Sequence, residues 1–151
     1  MAYTPVNLAG YTLEGRSSME TSNGKTKKIV VVEDDEDFMQ LIRMMLSDRE
    51  LEVIPALSGH SGLAAIRDRH PDVVILDLML PDMNGWEVYT QMRQELSSRQ
   101  TPVIILTVQG TRHDRVFGMQ VARVHDYLLK PCLPSQLRQS VASALTATPV
   151  A

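Results

Sequence analysis

The sequence has a single cysteine, few aromatic residues and no long apolar run. Because Cys132 is the only cysteine in 151 residues, an intramolecular disulfide is excluded, which fits a reducing compartment. No apolar run approaches the roughly 18 residues of a membrane-spanning helix. The first residues lack both the basic and the continuous apolar stretch of a secretory signal. We therefore predict a cytoplasmic protein without a membrane partner.

Clustered positive charge is also scarce. The formal net charge is −3, and no basic stripe recurs along the chain, so a nucleic-acid partner is not expected. The short cluster at Lys25, Lys27 and Lys28 is interpreted as a solvated tail. The length suggests one domain. We predict a polar N-terminal tail at 1–26, a folded domain at 27–147 and a C-terminal tail at 148–151.

What the sequence does have is a regular alternation of two apolar patterns. Short β-branched runs predict strands, and apolar residues at helical spacing predict helices between them. The predicted strands are 28–32, 51–57, 72–76, 101–108 and 126–130, and the predicted helices are 37–50, 59–70, 85–96, 112–122 and 134–145. This α/β alternation predicts a doubly wound parallel sheet covered by helices on both faces. Pro55 places the second strand at an edge.

Polar side chains end four of the predicted strands. They are Glu33, Asp34 and Asp35 after the first strand, Asp77 after the third, Thr107 in the fourth and Lys130 in the fifth. In a parallel sheet these ends lie at one edge, where sites collect. Clustered carboxylates repel one another unless a hard cation such as Mg²⁺ lies among them. A carboxylate can also act as a nucleophile and carry a phosphoryl group.

Each of these residues has an ordinary structural interpretation as well. A lone aspartate at a strand end is usually a helix cap or a solvated loop residue, and Asp35 and Asp37 are expected to serve the next helix in that way. A lysine before a proline is usually a surface residue. The coincidence at four strand ends favours the functional interpretation, with Asp77 as phosphoryl acceptor and with Mg²⁺ and Lys130 balancing its charge.

Four motifs in this order resemble the receiver domain of bacterial two-component response regulators. The resemblance covers about residues 28–146 and rests on "VVVEDD" (30–35), "DLMLPDMNGWE" (77–87), "ILT" (105–107) and "DYLLKP" (126–131). Asp77 lies 43 residues after Asp34 and 30 before Thr107, and both separations fit the family. The resemblance implies a flavodoxin-like, five-stranded sheet in the order 2-1-3-4-5.

The resemblance also implies roles for individual residues. Asp77 would be the phosphoacceptor, and Mg²⁺ would be bound by Glu33, Asp34, Asp77 and the backbone carbonyl of Met79. Lys130 would pair with the acceptor and then with the phosphoryl group, with a cis bond to Pro131. Thr107 would move toward the phosphoryl oxygen and Tyr127 would turn inward, which would change the face formed by helix 4, strand 5 and helix 5.

Three departures from the family pattern bear on function. Val108 follows the switch threonine where a small residue is usual, and we hypothesise that it crowds the phosphoryl group and slows its transfer and hydrolysis. "MQVARVHDY" (119–127) replaces an "LEAGADDY"-like stretch, with one extra residue and no glycine. Cys132 replaces a common aromatic, which we interpret as a packing change.

The preferred function is a stand-alone phosphoacceptor switch, not an enzyme in the ordinary sense. Its partners would be a sensor histidine kinase or a histidine phosphotransfer protein, and a downstream protein whose identity the sequence does not give. A phosphorylation-dependent homodimer is a further arrangement. One alternative is a degenerate receiver that binds proteins without phosphorylation. Another is a phosphohydrolase with an aspartyl phosphate, but such enzymes need a second aspartate where Met79 stands, and a cap domain.

Overall fold

The computed structural model describes residues 25–147, which form a five-stranded parallel sheet with helices on both faces. The strands are β1 (Lys27–Val32), β2 (Leu51–Ala56), β3 (Val73–Leu76), β4 (Val103–Thr107) and β5 (Asp126–Leu129). The helices are α1 (Glu36–Met45), α2 (Gly59–Arg69), α3 (Gly85–Gln94), α4 (Arg112–Val116) and α5 (Pro134–Thr146). The sheet order β2-β1-β3-β4-β5 confirms the predicted fold class, with β2 at an edge. The predicted tails lie outside the described residues, apart from Lys25 and Thr26.

Two apolar layers hold the sheet between its helices. Because side chains alternate along a strand, Val30 and Val32 face one layer while Ile29 and Val31 face the other. The first layer includes residues of α2 and α3, and the second includes residues of α1 and α5. Burying one such side chain contributes about 1.5–3 kcal/mol. Within residues 25–147, every helix is too short or too polar to cross a bilayer.

The first and third predicted helices are too long. The pattern predicts the first over 37–50, but α1 ends at Met45. A turn follows at 48–51, in which the backbone N–H of Leu51 donates to the carbonyl of Asp48 (3.1 Å) and that of Glu50 donates to its side chain (2.8 Å). Leu41, which shares the predicted apolar spacing, is 43% exposed, and Met39 lies in the core instead. The third helix ends at Gln94, and Leu96 beyond it is exposed.

The fourth predicted helix, over 112–122, is the largest departure. Only Arg112–Val116 is α-helical, and the chain continues as a π-helical turn at Phe117–Val121. A π turn accommodates one residue more than an α turn, which matches the extra residue in this stretch. Arg123 follows with φ of 57°, a left-handed conformation that costs a non-glycine residue about 1 kcal/mol.

Candidate functional site

Sheet register places Glu33 and Asp77 side by side. Val32 of β1 pairs with Leu76 of β3, so the next residue of each strand leaves the sheet at the same edge. The backbone N–H of Asp77 donates to the carbonyl of Val32 (3.0 Å). Both carboxylates are buried, at 2% and 4% exposure. Two charged groups are therefore held next to each other at the rim of an apolar sheet, where they need a cation.

Lys130 supplies one positive charge to this pair. Its Nζ lies 2.5 Å from Oε2 of Glu33 and 2.7 Å from Oδ2 of Asp77. The side chain is 13% exposed, and its ammonium also lies 4.5 Å from the centre of the Phe38 ring. The bond from Lys130 to Pro131 is cis, as expected. The structure thus brings together residues from β1, β3 and the end of β5.

Burial and pairing shift the protonation of these groups. Burial raises the pKa of the Glu33 carboxyl above its ordinary value, and the hydrogen bonds from Lys130 and from the backbone of Asp35 offset this only in part. Burial alone would lower the pKa of Lys130, but its hydrogen bonds to Asp77 and Glu33 outweigh it, and the pKa is raised. Lys130 therefore stays protonated at neutral pH.

The remaining predicted metal ligands, Asp34 and Met79, lie beside the carboxylates of Glu33 and Asp77. Carboxylate oxygens of Glu33, Asp34 and Asp77 all lie within 4.8 Å of one another, and Asp34 is exposed. The backbone N–H of Met79 donates to Oδ1 of Asp77 (3.0 Å), which brings this segment against the Asp77 carboxylate. One ammonium balances only one of three carboxylates. This set of hard oxygen donors with excess negative charge fits Mg²⁺, which prefers such ligands.

Thr107 and Tyr127 occupy the neighbouring strands. Thr107 ends β4 fully buried, and its Oγ1 accepts a hydrogen bond from the backbone of Gln109 (3.2 Å). Its carbonyl accepts from the backbone N–H of Lys130 (2.9 Å), so the two predicted site residues are linked through the main chain. Tyr127 is already inward, fully buried, and its hydroxyl donates to the carbonyl of Gln109 (2.5 Å).

Several residues near the site have structural roles, as predicted for Asp35 and Cys132. Asp35 caps α1 by accepting a hydrogen bond from the backbone of Phe38 (3.1 Å). Trp86 packs edge-on against Tyr89 and Phe117. Cys132 packs against the core, and burial raises the pKa of its thiol, which disfavours the reactive thiolate.

Two contacts at the site did not follow from the sequence. Phe38 packs against the core, and its ring also faces the Lys130 ammonium. The Tyr127 hydroxyl donates to the Gln109 carbonyl, and this contact could not be predicted because every residue has a main-chain carbonyl. Phe38 offered a signal, because it lies on the first turn of the helix that follows the acidic residues.

Comparison with known proteins agrees with this geometry. A model of the response regulator receiver domain matches residues 29–142. The alkaline phosphatase synthesis transcriptional regulatory protein PhoP of Bacillus subtilis is 33% identical over 125 residues, covering 83% of this chain and 51% of that protein. The phosphate regulon transcriptional regulatory protein PhoB of Rhizobium meliloti is 36% identical over 118 residues, covering 78% and 52%.

A solved structure is similar over the same part of the chain. The chemotaxis response regulator CheY4 of Vibrio cholerae superposes with a TM-score of 0.73 at 26% identity, covering 80% of this chain and 100% of that one. The chain spans about half the length of the curated relatives that it matches. The family match, the sheet order and the rim carboxylates agree: this chain belongs to the response regulator receiver domain family of two-component signalling proteins.

Proposed function

We propose that this chain is a phosphorylation-dependent switch in which Asp77 accepts the phosphoryl group. The observation that carries the proposal is the contact between Asp77 and Lys130, at 2.7 Å, beside two further carboxylates. The donor would be the phosphohistidine of a sensor histidine kinase or of a histidine phosphotransfer protein. The proposed unit is residues 27–147, acting in the cytoplasm.

The proposed reaction exchanges one bond to phosphorus for another. An Asp77 carboxylate oxygen attacks the phosphorus atom, a P–O bond forms, and the P–N bond of the phosphohistidine breaks. The electron pair of that bond returns to the imidazole. Lys130 then contacts the phosphoryl oxygens as well as the acyl oxygen, and it stays charged throughout because its pKa is raised.

We propose that Glu33, Asp34, Asp77 and the carbonyl of Met79 hold Mg²⁺ during this reaction. When bound, the ion supplies positive charge that offsets the phosphoryl oxygens. Lys130 already contacts Glu33 and Asp77, so Asp34 is the carboxylate whose charge Lys130 does not balance. Thr107, at the end of β4, would donate its hydroxyl to a phosphoryl oxygen.

The proposed output is a change in the face formed by α4, β5 and α5. Movement of Thr107 would break the hydrogen bond from the Gln109 backbone N–H to the Thr107 hydroxyl oxygen. Because the Gln109 carbonyl accepts a hydrogen bond from the Tyr127 hydroxyl, Tyr127 would be affected in turn. The face carries exposed apolar side chains, among them Phe117, Leu129 and Leu133. Such side chains suit a protein partner or a second copy of this chain. We propose a downstream protein as the target, with a phosphorylation-dependent homodimer as the alternative occupant.

A second candidate output comes from the relatives. PhoP and PhoB are named as transcriptional regulatory proteins and are about twice as long as the matched region. A DNA-directed output through a further domain is therefore a candidate, while the receiver itself is still expected to make no nucleic-acid contact through its phosphorylation site. The proposed activity is signalling, because its product is a conformational state.

Intact mass after incubation with acetyl phosphate and Mg²⁺ tests the proposal. We expect a gain of one phosphoryl group that is lost in Asp77→Asn and in metal-free buffer. Asp35→Asn is the matched control, because asparagine also caps a helix and the variant should still be phosphorylated. If wild type and Val108→Ala both fail to gain mass, also with a phosphohistidine donor, the chain acts as a phosphorylation-independent binding module.

A further inference from the structure

A cavity lies at the amino ends of the strands, opposite the carboxylate site. We call it the amino-end cavity; Lys27, Arg93, Arg99, Arg123, Met119 and Leu145 are among the residues that line it. Its volume is about 800 Å³. Small-molecule sites have volumes of roughly 300–1,000 Å³, so the amino-end cavity is large enough for a ligand of nucleotide size.

The charge of this cavity is opposite to that of the chain. Lys27, Arg99 and Arg123 have no ion-pair partner within residues 25–147, and Asp72 is the one carboxylate of that region that lines the cavity. Arg93 donates to main-chain carbonyls of Ser98, Arg99 and Thr101, at 2.6–3.2 Å, so its charge is not neutralised. In a chain of net charge −3, four cations therefore border one cavity.

The backbone conformation of Arg123 distinguishes this cavity from a solvated basic surface. It is one of two non-glycine residues with positive φ among those described, and the other, His70, ends α2, where such a conformation is common. Arg123 follows the π turn at Phe117–Val121. A strained backbone that is kept with a charged side chain points to a role for that side chain.

We propose that the amino-end cavity binds an organic anion of nucleotide size that carries two or more phosphate groups. Arg99 and Arg123 carry planar guanidinium groups that match phosphate oxygens in pairs, while Arg93, held by main-chain carbonyls and the Tyr89 ring, adds positive charge. Apolar side chains such as Met119 and Leu145 would contact the organic part. A concave cavity suits a small ligand better than a nucleic-acid backbone, which needs an extended basic stripe. This site is independent of phosphoryl acceptance at Asp77.

Isothermal titration of the full chain in buffer with EDTA tests the site. EDTA chelates metal ions, so no metal ion can join a phosphate group to the carboxylates. The probes are ATP, GTP and inorganic tripolyphosphate, with inorganic phosphate for comparison. We expect saturable binding of a nucleotide with one site, and binding of inorganic phosphate at least about tenfold weaker because it fills only part of the cavity. Arg99→Gln and Arg123→Gly should each weaken nucleotide binding about tenfold.

Two controls separate binding from folding and from general charge. Arg123→Gly should keep or raise Tm, because glycine adopts the left-handed conformation without strain, so its loss of binding is not loss of fold. Arg43→Gln, on the exposed side of α1, should bind as wild type does. The proposal is overturned if none of the three probes saturates, or if Arg43→Gln weakens binding as much as Arg123→Gly. Salt-sensitive binding of duplex DNA without nucleotide binding would also overturn it.

Discussion

Lys130 contacts Asp77 across 53 residues of sequence, with Nζ 2.7 Å from Oδ2. The same ammonium contacts Glu33, which is 97 residues away. These contacts exist because β1, β3, β4 and β5 are parallel neighbours, so that their carboxyl ends share one edge. The rim therefore holds three carboxylates and one ammonium, and this excess of negative charge is the basis of the first two predictions below.

Replacing Lys130 by methionine should destabilise the metal-free protein. The variant leaves Glu33 and Asp77 buried without their cation, and we expect the free energy of unfolding to fall by about 1–3 kcal/mol. Mg²⁺ would then replace the missing positive charge, so it should raise the Tm of Lys130→Met more than that of wild type. Thermal unfolding with and without Mg²⁺ measures both effects, and equal gains in Tm would contradict the arrangement.

Asp34→Asn should remove most of the stabilisation by Mg²⁺. A ligand that binds only the folded state at ten times its Kd stabilises it by about 1.4 kcal/mol, and this gain should be lost with the exposed carboxylate. In EDTA the variant should be as stable as wild type or more so, because repulsion among the three carboxylates is reduced. Asp35→Asn is the control and should keep the response. An unchanged response in Asp34→Asn would exclude this residue as a ligand.

Val108→Ala should speed both phosphorylation by acetyl phosphate and hydrolysis of the acyl phosphate several-fold. Val108 follows the buried Thr107 and is 61% exposed, and we expect its β-branched side chain to border the phosphoryl group. Mass spectrometry and release of inorganic phosphate give the two rates. Leu96→Ala removes another exposed aliphatic side chain and should change neither rate. Unchanged rates in Val108→Ala would reject the crowding hypothesis.

Gly118→Ala should destabilise the protein through a clash with Tyr127. A Cβ at Gly118 would lie 2.7 Å from Cδ2 of the buried tyrosine ring, which overpacks the core and costs about 1–3 kcal/mol. In a Tyr127→Leu background the same change should cost much less, because the ring atoms are gone. A double-mutant cycle from denaturant unfolding measures this coupling. Additive effects would show that the π turn and Tyr127 are not in steric contact.

Asp82→Ala should lower Tm in a pH-dependent way. Backbone N–H groups of His60 and Gly59 donate to this carboxylate at the start of α2 and hold its pKa far below the ordinary value of about 4. A lowered pKa gives stability that is present above pH 4 to 5 and is lost as the pH falls below it. The Tm difference from wild type should therefore shrink on acidification. Asp68→Ala is the control, because Asp68 lies on α2 itself, away from its first turn. An equal pH dependence in both variants would contradict the prediction.

Much of the fold could be predicted from local sequence patterns, because the signals for strands and helices lie within short stretches of sequence. The β-branched runs at β1, β3 and β4 could hardly be anything but buried strands, and Asp35 caps the next helix as its type and place predict. Helix ends were less certain. α1 ends ahead of the turn at 48–51, which leads the chain into β2, and the exposure of Leu41 depends on how the helix is rotated against the sheet.

The sequence by itself determined the alternating elements, the polar residues at the strand ends and the resemblance to the receiver family. Only the tertiary structure decided which of those polar groups touch, since contacts such as Lys130 with Glu33 depend on strand order and register. It also decided that the extra residue near position 120 enters a π turn and that Arg123 borders a cavity. Such features depend on packing between segments far apart in the chain, and no local window of sequence contains that information.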